Sequence, residues 1–234
     1  MISNFTKTLF LFAHPDDETL GAGGTISLLR RKGKDVYVGL SSSGINSRKN
    51  LLSNKKVNSD LAKIKRNTFD ALKTLGVKKN KIFFGNFPDN ENDSVTLLKL
   101  TQWVEGLINK IKPDTVFTHN KFCTNIDHKY LHSAAVIACR PIRKRRINLI
   151  TSEIPSSTGY DKPSNFEPNF YIGLEKKDLK KKIIAMQKYS TEKRKFPHPR
   201  SPQSLEAYAK VRGVNSFNNY AEAFMIHQIF FNNL

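Results

Sequence analysis

An apolar run of six residues, Thr8 to Ala13, ends directly in His14-Pro15-Asp16-Asp17-Glu18. Six residues are far too few to cross a bilayer, and no cleavage-site pattern follows them, so the run is neither a membrane span nor a leader. It reads as a buried strand with a histidine and three acids at its carboxyl end. A strand apolar at every position must be covered on both faces, which calls for a parallel sheet flanked by helices.

The sequence beyond it supplies the parts. Thr19 to Arg31 reads as a helix ended by Gly33, and Asp35 to Leu40 as a second strand leading into the turn Ser41-Ser42-Ser43-Gly44. Ile45 to Asn58 is polar, basic and aperiodic, and is expected to be a mobile loop. Leu61 to Leu75 is amphipathic and stopped by Gly76, a usual C-terminal residue. Lys81 to Phe84 and Thr115 to Thr118 read as strands, Val95 to Ile111 and Lys129 to Cys139 as helices. After Leu149 the regularity weakens. A strand-like run to Glu153, a Pro/Ser/Asn-rich loop from Pro155 to Pro168, and a strand at Phe170 to Leu174 precede a helix from Asp178 to Tyr189. Ser201-Pro202 then starts a last helix that closes at Gly213. The alternation predicts one α/β domain over residues 1–234, a Rossmann-like, mostly parallel sheet with helices on both faces.

In such sheets ligands bind just beyond the carboxyl ends of strands, where His14 to Glu18 stand. Three acids packed together repel one another unless a cation sits among them, and imidazole nitrogen and carboxylate oxygen are both good zinc donors. Capping of the next helix would explain Asp17 or Glu18, since acids favour the positive end of the dipole. It would not explain His14, Pro15 and the doubled acid together. The stretch Gly21-Ala22-Gly23-Gly24 is costly in a helix and implies close backbone approach, either to the sheet or to substrate. It is no dinucleotide fingerprint, because the acidic turn would repel a pyrophosphate.

A second cluster follows the fourth strand: His119, then Asn125-Ile126-Asp127-His128, with His132 one helical turn on. The parallel sheet brings His128 beside the first turn as a candidate third ligand. His132 lies among Leu131, Ala134 and Ala135, where a supporting or core histidine is the better reading.

These residues resemble the PIG-L/LmbE-type de-N-acetylases. The resemblance rests on AHPDDETLGAGG and the distal Asp127-His128, and continues through the Ser-rich turn ending in Gly44, Arg66 in a helix ending LGV, Asp89 in FPDN, and KPDTVFTH. EIPSST, FPHPRS and AEAF are similar to a bacterial subgroup associated with surface-polysaccharide genes. The resemblance implies that His14, Asp17 and His128 hold the metal, zinc or alternatively Fe²⁺, and that Asp16 is the general base. Asp127 would orient or polarise a neighbouring catalytic group. Many members carry His-x-Asp-His where this chain has Asn125-Ile126-Asp127-His128. Asn125 can donate a hydrogen bond to an oxyanion but cannot act as a general acid. The acid is then expected to be Asp16 itself, or another histidine such as His119 or His198. Arg66, Asp89, His198 and Arg200 are candidate substrate contacts, the guanidinium being suited to phosphate.

The implied activity is hydrolysis of an N-acetyl or similar short acyl group from an amino sugar, free or linked to a nucleotide, lipid or glycan. A metal-dependent hydrolase of another bond, a phosphoester for instance, ranks lower, because two-metal sites need more ligands than these clusters provide. From another class comes a basic nucleic-acid-binding protein on a retired enzyme fold. The chain carries a formal charge of +19, with basic runs at Lys176 to Lys182 and Arg140 to Arg146. Yet no helix-turn-helix, zinc-finger or RNP signature accompanies them, and coding biased toward A and T would produce the same charge. Two cysteines, Cys123 and Cys139, without metal-ligand spacing point to a reducing, cytoplasmic setting.

Overall fold

The computed structural model describes residues 4–42, 54–142, 145–160 and 166–230, with the side chains of 54–58 outside that description. The first strand, β1 (Lys7–Phe12), has five consecutive buried residues, as its unbroken apolar run requires. Its side chains divide between two cores. Phe10 and Phe12 join one with Leu20, Ile26, Leu72 and Met186, while Leu9 and Leu11 join the other with Val104, Ile108, Leu131 and Ala135. Each fully buried residue of this kind contributes about 1.5–3 kcal/mol over an exposed one. The strand is therefore the floor of both layers.

The remaining elements follow in the expected alternation: α1 (Asp17–Arg31), β2 (Asp35–Ser42), α2 (Asn54–Thr74), β3 (Ile82–Phe87), α3 (Leu97–Ile111), β4 (Thr115–His119), α4 (Ile126–Ala138), β5 (Asn148–Ser152), β6 (Phe170–Gly173), α5 (Lys176–Lys188), α6 (Pro202–Val214) and β7 (Ala221–Gln228). The seven strands form one sheet in the order β3-β2-β1-β4-β5-β7-β6. β1 to β5 pair in parallel, and β7 pairs antiparallel with both β5 and β6. α1, α2, α5 and α6 contribute to one core, and α3 and α4 to the other. The strand order reverses between β1 and β4, and such a switch point opens a crevice at the carboxyl ends of its two strands.

Several expectations needed correction, among them the start of α4, which begins at Ile126 and not Lys129. Asn54 to Asn58 begin α2 rather than end a loop, and residues 45–53 lie outside the described ones, as do Ser43 and Gly44. α1 starts two residues early, at Asp17, so that two acids stand at its positive end. Ser41 and Ser42 are strand, paired beyond β1, with the Ser42 amide donating to the Ala13 carbonyl at 2.9 Å. β7 was not anticipated at all. Its edge is fixed by Gln228, whose side-chain amide donates to the carbonyls of Cys139 and Ile147. The glycines of α1 face protein, not substrate: a Cβ on Gly21 would lie 2.6 Å from Ser152 Oγ, and one on Gly24 would collide with Leu174.

Candidate active site

β1 ends at Phe12, and the chain turns sharply through His14 and Asp16 into α1. Asp16 sits at φ 114°, a backbone region costly for a side-chain-bearing residue. Glu18 holds it there: Glu18 Oε2 accepts the Asp16 amide at 3.1 Å, while Glu18 Oε1 accepts the hydroxyls of Thr19 and Tyr189, both at 2.6 Å. β4 ends at His119, and Asn125 caps α4 by accepting the Asp127 amide at 2.9 Å. The switch point thus brings the two clusters together across 114 residues of sequence.

Three donor atoms converge there. His14 Nδ1 lies 3.2 Å from Asp17 Oδ2 and 3.2 Å from His128 Nε2, and His128 Nε2 lies 3.0 Å from Asp17 Oδ2. A tetrahedral zinc ion with bonds near 2.0–2.1 Å would set such donors about 3.3 Å apart, so the triad fits a divalent cation. Its remaining groups fix the tautomers. His14 Nε2 faces Asp127 Oδ2 at 2.9 Å and Asp89 Oδ1 at 3.2 Å, so it carries the proton and leaves the Nδ1 lone pair for the metal. His128 Nδ1 faces Cys123 Sγ at 2.9 Å, which frees Nε2 likewise. A second grouping of potential ligands, His14, Asp89 and Asp127, uses the back of the same imidazole.

The electrostatics agree. Burial works to raise the Asp17 carboxyl, yet His128 and His14 hold it well below the usual carboxylate range. Burial works to lower His128, but Asp17 beside it lifts the imidazole to about 9. Asp17 therefore attracts positive charge to this point. Asp16 differs. Burial raises its carboxyl, Arg200 opposes that and Asp17 adds to it, leaving the group at about 7. Arg200 Nε donates to Asp16 Oδ2 at 2.6 Å.

These groups open on a cavity of about 170 Å³, lined by His14, Pro15, Asp16, Asp89, Asn90 and Asn125 on the sheet side. Ile64 of α2 and the strap joining α5 to α6, through Tyr189, Thr191, Glu192 and Arg200, close it. Asp127 is fully buried beneath the floor, where it accepts the amides of Asn90 and Asn92 at 2.7 and 3.0 Å. It is a positioning residue for His14 and for the Asn90 turn.

Three sequence-predicted site residues lie outside the cavity lining. His119 is fully buried, stacks on His128 with centroids 3.7 Å apart, and accepts the Ala13 amide at Nε2. Burial and the neighbouring His128 push its pKa well below the ordinary value, and its Nε2 is turned to the Ala13 amide, away from the cavity lining. His198 lies in the strap but does not line the cavity; its Nδ1 accepts the Arg200 amide, and burial with Arg200 lowers its pKa. It shapes the Arg200 turn instead of touching the cavity. Arg66 is exposed on α2, about 200° round the helix from the cavity-lining Ile64. Asp89, Asn125 and Arg200 do line the cavity, although one N–H of Asn125 is committed to Asn90 Oδ1 at 2.7 Å and Arg200 is committed to Asp16. Sequence reading placed Glu18 in the acidic turn but gave Tyr189 and Cys123 no part in the site, since neither carried a spacing signal. His132 supports the site, its Nδ1 donating to the His119 carbonyl at 2.9 Å.

The family model for GlcNAc-PI de-N-acetylases (PIG-L) matches residues 9–139, more than half of the chain. The chain belongs to that family. Both donor clusters of this PIG-L member fall inside the matched segment. A probable N-acetyl-alpha-D-glucosaminyl L-malate deacetylase from Bacillus cereus is 28% identical over 134 residues, which make up 56% of this chain and 59% of that relative. The chain thus matches less than two thirds of that relative's length. Among solved structures, the N,N'-diacetylchitobiose deacetylase from Pyrococcus horikoshii superposes with a TM-score of 0.77 at 19% identity, covering 96% of this chain and 85% of that one. The 4-carboxy-2-hydroxymuconate hydratase from Pseudomonas putida KT2440 superposes at 0.66 with 20% identity, over 97% of this chain and 99% of that one. These structures share the fold of the PIG-L member; at such identity they establish no more than the fold.

Proposed function

We propose that the protein is a metal-dependent hydrolase that removes an N-acetyl or similar short acyl group from an amino sugar. The reading is carried by one observation: His14, Asp17 and His128 converge within 3.2 Å while Asp16 lines the adjoining cavity. Family membership and the deacetylase named among its relatives support it. The cation, zinc or Fe²⁺, would polarise the acyl carbonyl and lower the pKa of an attacking water.

The chain's own residues do the rest. Asp127 and Asp89 hold the His14 Nε2 proton, and Cys123 faces the His128 Nδ1 proton, so both rings present their other nitrogen. Arg200 engages Asp16 Oδ2, and Oδ1 is the atom we assign to the water's proton. Burial raises the Asp16 carboxyl to about 7 in the metal-free protein, and a carboxylate in this place can take that proton as attack begins and return one to the departing amine. That makes a separate histidine acid unnecessary and explains how Asn125 stands where many relatives have a histidine. Asn125 retains one amide hydrogen for the developing oxyanion. Asp89, Asn90 and the cavity-lining Thr191 and Glu192 of the strap are assigned to the sugar.

We assign the protein to the cytoplasm and to the building of surface polysaccharides or other glycoconjugates, on a substrate that is free or linked to a nucleotide or lipid carrier. No helix among the described residues is long and apolar enough to cross a membrane. Both cysteines are free, in keeping with a reducing compartment. The test is acetate release by the metal-loaded protein from a panel of N-acetylated sugars and their UDP forms. Absence of bound metal after reconstitution with zinc or iron, or no acetate from any panel member, overturns the reading.

A further inference from the structure

Ten of the chain's 39 lysines and arginines, against two of its 20 acids, fall between residues 176 and 200. That stretch is α5 together with the strap. On α5, Lys177, Lys180, Lys181, Ile184 and Lys188 recur at intervals of three and four, which aligns them along one helix face, and all five are exposed. The helix buries Leu179, Ala185 and Met186 on its other side. The exposed run continues in the strap with Lys193, Arg194, Lys195, Phe196 and Pro197, where the Phe196 ring is 62% exposed. Of the described ion pairs, only Lys177–Glu175 at 2.8 Å involves a cation of this face. Arg194 donates to the carbonyls of Thr191 and Lys193, which orders the strap without neutralising it.

The ends of the strap line the cavity, so its exposed middle forms the cavity's lip. We propose that this basic, aromatic-tipped lip and the adjoining face of α5 dock the protein on an anionic lipid bilayer, with the cavity opening at the membrane surface. The cations match anionic head groups in charge, and Ile184 and Phe196 stand among them as apolar groups that gain by burial at the head-group level. A nucleic acid would use the cations but would leave Ile184 in water. The single ring of Phe196 also makes no run of stacking platforms. The inference rests on the proposed function only for what the cavity would meet at the membrane.

The test is co-sedimentation of the intact protein with vesicles of phosphatidylcholine alone and of phosphatidylcholine mixed with phosphatidylglycerol. Binding is expected only to the mixed vesicles, and weaker as salt is raised. The triple variant K193Q/R194Q/K195Q should bind about fivefold more weakly per cation removed, on the order of a hundredfold in all. Phe196→Ser should weaken binding by a factor that persists at high salt. Both variants should release acetate from a water-soluble substrate at the parent rate. Equal binding to both vesicle types, or a triple variant that binds like the parent, overturns the proposal. So does duplex DNA that displaces the protein from vesicles while depending on the same three cations but not on Phe196. Binding is read without turnover, so failure to dock leaves the hydrolase reading standing, and failure to release acetate leaves the docking result intact.

Discussion

The sheet side and the strap side of the cavity are built in different ways. On the sheet side, His14 follows the end of β1, and Asp17 and His128 stand in the first turns of α1 and α4, the helices that β1 and β4, neighbouring strands held in fixed register, lead into. On the strap side, Tyr189 and Arg200 reach Glu18 and Asp16 from a connection between helices, 171 and 184 residues away in sequence. The family match covers 9–139, which takes in the first side and stops before the second. In the proposed function the floor carries the chemistry, and the separately built wall, with Asp89 and Asn90, meets whatever the substrate has beyond its acyl group. The same fold accommodates a hydratase, which is a reason to look for the reaction in the floor residues and for the substrate in the wall.

The sharpest way to break this division is to remove a floor donor. His128→Ala takes one ligand from the triad and leaves only His14 and Asp17 as donors, so metal content and turnover should both fall to background. Chelation of the parent protein should do the same, with recovery on adding metal back. If His128→Ala retains stoichiometric metal by elemental analysis, the ligand set is wrong. Asp16→Asn comes next. It should lower kcat by roughly 10²–10⁴ while metal stays bound, because the amide cannot take the water's proton. Turnover near the parent rate in that variant would move the base elsewhere in the cavity.

Cys123→Ala tests the outer support of the floor. Its thiol lies 2.9 Å from His128 Nδ1 and 3.0 Å from Ser157 Oγ, in a place where metal-binding histidines usually meet a carboxylate or carbonyl. Loss of such a partner costs roughly 10–100-fold in metal affinity. Competition with a chromophoric chelator measures it, and Cys123→Ser should restore part of the loss. Unchanged affinity in Cys123→Ala would mean that His128 needs no partner at Nδ1.

The difference between floor and wall also explains what the sequence could reveal. β1 was legible because a strand buried on both faces has no polar position, and the donors were legible because metal chemistry restricts residue type. β7 was not, since its identity as a strand depends on pairing with β5 and β6 and not on any alternation of its own. The surroundings of His119 were not legible for a related reason. Its place at the end of β4 suggested proximity to the metal, which is correct, but sequence does not show that Nε2 is already occupied by the Ala13 amide. The link from Glu18 to Tyr189 escaped notice because it closes across 171 residues with no motif at the Tyr189 end.

That link supplies the smallest and most discriminating effect. Tyr189→Phe keeps the ring in its core and removes only the hydroxyl that donates to Glu18 Oε1, while Thr19 continues to serve the same oxygen. Leaving a buried acceptor short of a partner should cost about 1–3 kcal/mol of stability. In a chain of this size that is a drop in Tm of about 2–4 °C per kcal/mol, measurable by thermal unfolding of the metal-loaded protein. Glu18 also pins the amide of Asp16 at its strained φ of 114° through its other oxygen, so a loosened Glu18 should let the base drift. The expected outcome is a kcat several-fold lower with KM nearly unchanged, since the lost hydroxyl is bonded to Glu18 and the ring that lines the cavity is kept. A loss of stability with kcat untouched would confine the strap to a passive wall. A fall in kcat would instead show that the wall reaches through Glu18 to set the aim of the floor's own base.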